Sequence, residues 1–141
     1  MGHPAQTPAR EAPEAVTLER DYPGVTSQAR RVRADLAIIT TGFPAAEDLI
    51  LLTSELVTNA ILHSRSGHPS RTFTVRVVLY LGEYAWVEVV DQGGTWTGDE
   101  HDEEHGRGLA IVAAVAGDGN WGIEGDEASR VAWFRIDWKQ N

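Results

Sequence analysis

Cysteine is absent from the 141-residue chain. That excludes a disulfide framework, a thiolate zinc site and a cysteine nucleophile together, and a reducing cytoplasm is the expected setting. Long hydrophobic runs are absent too. The longest, such as Leu49 to Leu52 and Val75 to Leu81, fall far short of the roughly 20 residues that cross a bilayer, so no membrane association is expected. The opening Met1-Gly2-His3-Pro4 lacks the charged head and apolar heart of a secretory signal. Positive charge is scarce: 12 Lys+Arg stand against 21 Asp+Glu, a formal net charge of -9. Such a surface opposes a polyanion, so direct binding to nucleic acid is not expected.

What is present suffices for a core, with 42% of residues hydrophobic. Residues 1–14 carry Pro4, Pro8 and Pro13 among small and polar residues and have too little apolar surface to offset the entropy of ordering. They are expected to form a disordered tail, leaving residues 15–141 as one domain. Val16 to Tyr22 alternates like a short edge strand closed by Pro23-Gly24. Ala29, Val32, Leu36 and Ile39 recur at helical steps, and that helix should stop near Gly42. A second helix, Ala45 to about His63, is apolar on most sides.

Phe73–Leu81 and Tyr84–Asp91 are rich in β-branched and aromatic residues. The intervening Gly82-Glu83 predicts a two-residue type II′ hairpin. Gln92 to Arg107 has no period, and a loop of that length reads as a lid. Gly108–Ala116 reads as a short helix, followed by strands Asn120–Glu124 and Arg130–Trp138. The sum predicts an α+β two-layer sandwich, with helices on one face of a mostly antiparallel sheet.

Three places carry chemistry. On the second helix Glu55 and Asn59 are four residues apart, hence on one face, and His63 extends the line by another turn. A solvent-facing stripe and a functional stripe both fit that spacing. In the functional reading Asn59 offers a neutral oxygen to Mg²⁺, and Glu55 orients or deprotonates a nucleophile near a γ-phosphate. Asp91 ends a strand in phase with Val87 and Val89, so its carboxylate should point inward and needs donors. It either caps a turn or accepts from the amine of adenine, with Gly93 and Gly94 allowing a flat ring to approach. Gly106-Arg107-Gly108 stands where a helix begins, so N–H groups there could cradle phosphates with Arg107 adding charge. The net negative charge does not forbid this, because a helix N-terminus handles one phosphate group locally. The run Asp99 to His105 alternates acid and histidine without a regular element to fix metal geometry, and reads as a solvated lid.

In this order, Ser54-Glu55-Leu56-Val57-Thr58-Asn59-Ala60-Ile61-Leu62-His63, Val90-Asp91-Gln92-Gly93 and Gly106-Arg107-Gly108-Leu109-Ala110-Ile111-Val112 closely resemble the N, G1 and G2 boxes of the histidine-kinase-like (GHKL) ATPases. The wording Glu-Leu-Val-Thr-Asn-Ala looks like the anti-sigma-factor serine/threonine kinase branch. The resemblance spans about Val16 to Asp137. It implies a Bergerat-type sandwich binding Mg-ATP beneath a lid, with Asn59 as Mg²⁺ ligand, Glu55 as catalytic base and Asp91 as adenine reader. Gly93 would lie at the ring, and Gly106, Arg107 and Gly108 at the phosphates. It also implies a homodimer whose partners are a sigma factor and an anti-anti-sigma protein carrying the acceptor serine or threonine.

Two departures stand out. Gly94-Thr95-Trp96 replaces the usual continuation to a further glycine, and Val131 falls where many relatives carry a threonine in the adenine–aspartate network. A non-catalytic module that uses nucleotide to set partner affinity is the competing function. A sandwich binding no nucleotide is the third. A two-component sensor kinase is not expected, because residues 1–44 leave little room for a phosphoacceptor hairpin.

Overall fold

The computed structural model describes residues 14–94 and 103–138. Residues 1–13 of the expected tail and residues 95–102 of the expected lid lie outside them. Strand β1 (Ala15–Pro23) leads to helices α1 (Gln28–Ile39) and α2 (Ala46–His63), and a short 3-10 turn (Arg65–Gly67) follows. Strands β2 (Thr72–Tyr80) and β3 (Tyr84–Asp91) come next, then helix α3 (Glu103–Ala116) and strands β4 (Trp121–Gly125) and β5 (Arg130–Asp137). The five strands form one sheet in the order β1-β2-β3-β5-β4, and every pairing is antiparallel. The α+β two-layer sandwich is the observed fold.

Alternation decides which sheet face meets the helices. Phe73, Val75, Val77 and Leu79 of β2 are buried, as are Ala85, Val87, Val89 and Asp91 of β3. The apolar ones share one core with Leu49, Leu52, Leu56, Val57 and Ala60 of α2. The opposite face carries Trp86 stacked on Trp133, with ring centroids 4.7 Å apart and planes at 9°. A salt bridge from Arg20 to Asp35 at 3.0 Å ties β1 to α1. The Tyr22 hydroxyl also donates to Asp35, at 2.7 Å. Burial raises the Tyr22 pKa well above its usual value, and the bond to Asp35 adds to the shift.

Two elements differ from expectation. The β2–β3 connection has three residues, because Tyr80 pairs with Tyr84 and the Glu83 N–H donates to the Tyr80 carbonyl at 2.8 Å. Burial explains it: Leu79 and Ala85 are both buried and directly paired. A two-residue turn would shift the register by one and set an inward residue against an outward one. Helix α3 begins at Glu103 rather than Gly108. Glutamate propagates a helix readily, and the apolar stretch from Leu109 supplies the packing that short helices need.

Candidate functional site

Glu55 and Asn59 are half-buried, whereas Leu51 and Leu62 of the same helix are 43% and 47% exposed. The polar stripe is therefore not the outer face of α2. It faces α3 at Gly108, where a Cβ would lie 3.0 Å from Glu55 Oε2, 3.7 Å from Asn59 Oδ1 and 3.8 Å from Asn59 Nδ2. The missing side chain of Gly108 lets one helix backbone approach the functional groups of the other. Because α3 already runs through Gly106-Arg107-Gly108, these residues sit within the helix instead of preceding it. The amides of Arg107 and Gly108 thus fall at or beyond the end of the first four unbonded N–H groups. The side chain of Arg107, and the run Asp99 to His105 as a metal candidate, lie outside what the structure describes.

Asp91 is 8% exposed at the end of β3, on the core side as its phase with Val87 and Val89 required. A buried carboxylate must be matched by donors, and three reach it. The Gly93 N–H donates to Oδ1 at 2.7 Å, Arg130 Nε to Oδ1 at 3.4 Å and Arg130 Nη2 to Oδ2 at 3.3 Å. The two side chains of this ion pair are 11% and 10% exposed. Arg130 Nη2 also donates to the His63 carbonyl at 3.2 Å, placing a cation at the negative end of α2.

Sequence reasoning missed Arg130. In the register Asp91 pairs with Arg130, while Val131 pairs with Val90 on the other face. Val131 therefore faces away from Asp91, and Arg130 is the β5 residue beside it. The signal was available: Arg130 is in phase with Ala132, Phe134 and Ile136 along β5, the last two buried.

Behind Asp91 the chain is stapled on two sides. Gln92 N–H donates to Ser66 Oγ at 2.9 Å and Arg65 N–H to the Gly93 carbonyl at 2.8 Å, so the segment is fixed to the turn after α2. Gly94 N–H donates to the Glu127 carbonyl at 2.9 Å, fixing it to the β4–β5 turn. Gly93 has φ +68°, and a Cβ there would stand 2.2 Å from the Glu127 carbonyl oxygen. Only glycine satisfies both demands. In that turn Asp126 accepts from the amides of Ala128 at 2.8 Å and Ser129 at 3.2 Å, which lowers its pKa.

Two cavities share Leu109, Ile123 and Arg130 in their linings. The inner one, about 20 Å³, is lined by Leu56, Asn59, Asp91 and Arg130, with Leu109 as its side against α3. The outer one, about 530 Å³, is bounded by Gly94, Trp121, Asp126, Glu127 and again Leu109 and Arg130. Among the described residues no cluster of three or more His, Asp or Glu side chains could hold a metal alone. One carboxylate and one amide, Glu55 and Asn59, converge at a spot a Cβ would fill. Their oxygens are hard donors of the kind Mg²⁺ takes alongside phosphate oxygens. The residues present therefore fit a magnesium ion that also takes phosphate oxygens.

The histidine kinase-like ATPase domain family matches residues 20–130, and the chain belongs to that family. No curated protein matches. Among solved structures the chain is similar to the RsbU and RsbW domains of Rv1364c from Mycobacterium tuberculosis, with a TM-score of 0.64 and 20% identity. The match covers 88% of this chain and 36% of that one, so the chain spans about a third of the length of that structure. Among the described residues no helix is long and apolar enough to cross a membrane.

Proposed function

We propose that the chain is an ATP-binding regulator of the anti-sigma-factor kinase type, which binds a sigma factor and phosphorylates a serine or threonine of an anti-anti-sigma protein. The observation that carries it is the meeting of Glu55 and Asn59 at Gly108, next to the cavity where Asp91 waits. Family membership supports ATP as the ligand, and the likeness to a structure containing an RsbW domain supports the partner-switching setting.

In this reading Asn59 holds Mg²⁺ and Asp91 accepts from the adenine amine. Glu55 takes the proton of the attacking hydroxyl, while Gly106, Arg107 and Gly108 stand at the phosphates. Gly93 keeps the loop low beside the ring. The magnesium, when bound, neutralises charge on the phosphate oxygens. We place the protein in the cytoplasm, with residues 15–141 as the domain, and as a homodimer.

The second reading is a module that uses nucleotide only to set partner affinity. It is favoured by one observation: with α3 formed from Glu103, the glycine segment does not present a loop to phosphates. Glu55→Ala separates the two. Incubated with Mg-[γ-³²P]ATP and a cognate anti-anti-sigma protein, the wild type should label the acceptor and the variant should lose transfer at least 100-fold, with nucleotide affinity preserved. Equal labelling by both, or none by the wild type under binding conditions, rejects the kinase assignment.

A further inference from the structure

The carboxylate meant for the base is already engaged. Asp91 Oδ1 accepts from the Gly93 N–H and from Arg130 Nε, and Oδ2 accepts from Arg130 Nη2. The two Arg130 contacts, at 3.4 and 3.3 Å, are long for charge-assisted bonds, which settle near 2.7–2.9 Å. The inner cavity beside them, about 20 Å³, has room for about one water. A purine does not fit there while the guanidinium stays.

Arg130 lines both cavities, together with Leu109 and Ile123, and of the three it alone carries a charge and bonds to Asp91. On the cleft side the lining includes Glu124, Asp126 and Glu127. A guanidinium that turned away from Asp91 would leave one set of acceptors for another. It would also join the two cavities and free Oδ2 for an exocyclic amine. The anchor at the His63 carbonyl, 3.2 Å from Nη2, would be given up in the same movement.

We propose that Arg130 competes with the base for Asp91, so that an adenine nucleotide binds as the guanidinium withdraws toward the acidic β4–β5 turn, and that this competition sets the affinity of the site. The inference rests on Asp91 as the base reader. It explains how a buried carboxylate is kept satisfied before ligand arrives, and it makes Arg130 an affinity-determining residue that the family boxes do not contain.

The test is a calorimetric titration of Mg-ADP into the full chain and into Arg130→Ala, Arg130→Gln and Arg130→Lys, with thermal melts run on each. Removing the competitor should tighten ADP binding about tenfold in the alanine and glutamine variants. Lysine makes one contact where the guanidinium makes two, so Arg130→Lys should gain a few-fold. That variant carries the test if the neutral ones fail to fold. Wild-type binding with unchanged or weaker binding in the folded variants overturns the competition while leaving the nucleotide site standing. No binding by any folded protein removes the nucleotide reading, and the inference with it. Binding detectable only in the variants supports both.

Discussion

At the scale of single residues the site is a matter of what glycine omits and what Asp91 accepts. Gly108 sits in a helix, where alanine would raise local stability by up to about 1 kcal/mol. Its added Cβ would crowd the flexible end of Glu55, at 3.0 Å, and stand in ordinary contact with Asn59, at 3.7 and 3.8 Å. Gly108→Ala should therefore melt at or above the wild-type temperature and still lose Mg-ATP affinity, a separation that paired calorimetry and melting curves would show. Gly93→Ala should behave in the opposite way. Its Cβ would meet backbone oxygen at 2.2 Å with φ at +68°, so destabilisation of about 3 kcal/mol or more is expected in urea unfolding.

Asp126 gives a pH signature. Its folded pKa is depressed by the Ala128 and Ser129 amides, so its contribution to stability is present above the unfolded carboxylate value and fades as pH falls through the folded one. Asp126→Ala should lower the melting temperature at neutral pH, and the gap to wild type should shrink in acid below the usual aspartate range. A gap that stays constant with pH would remove the carboxylate from the account. The inward aim of Asp91 was legible from period-two alternation alone. The same alternation points Arg130 inward, but a lone arginine opening a strand reads as a solvated end, and only register sets it beside a buried carboxylate.

At the scale of elements, α2 shows how far helical periodicity carries. Its extent and the shared face of Glu55, Asn59 and His63 followed from spacing. Which side that face looked toward did not, because α2 is apolar nearly all round and its orientation depends on α3 crossing it at Gly108. Adjacent leucines expose the asymmetry. Leu52 is fully buried and Leu51 is 43% exposed, so Leu52→Ala should cost about 2–5 kcal/mol and Leu51→Ala about 0.5 kcal/mol or less in urea titrations. Comparable losses would mean that α2 is rotated from the orientation described. The hairpin and α3 were misjudged for related reasons. The Gly82-Glu83 pair signals a turn but not its length, which the burial register of β2 and β3 decides, and the start of α3 is masked in sequence by glycines that usually end helices.

At the scale of the whole molecule, the helix layer and the sheet's inner face build one core, and the site lies where α2, α3 and the β3 and β5 strands converge. The two-layer architecture was legible because strand alternation and helix periodicity each pointed one apolar side toward the other. The open face of the sheet, with its Trp86–Trp133 stack, was not, because the stack joins residues distant in sequence. The net charge of -9 makes the surface repel ATP on average, so affinity must come from local groups. A ligand that binds only the folded chain stabilises it by about 2.7 kcal/mol at a hundred times its Kd, and Mg-ATP should raise the melting temperature accordingly.

The most direct measurement is calorimetric titration of Mg-ATP into the wild-type chain, Asn59→Ala and Asp91→Asn, each shown to be folded. Saturable binding at one nucleotide per chain is expected in the wild type, weakened about tenfold or more in each variant. Wild-type protein that releases no binding heat, or variants that bind as well as the wild type, would contradict it.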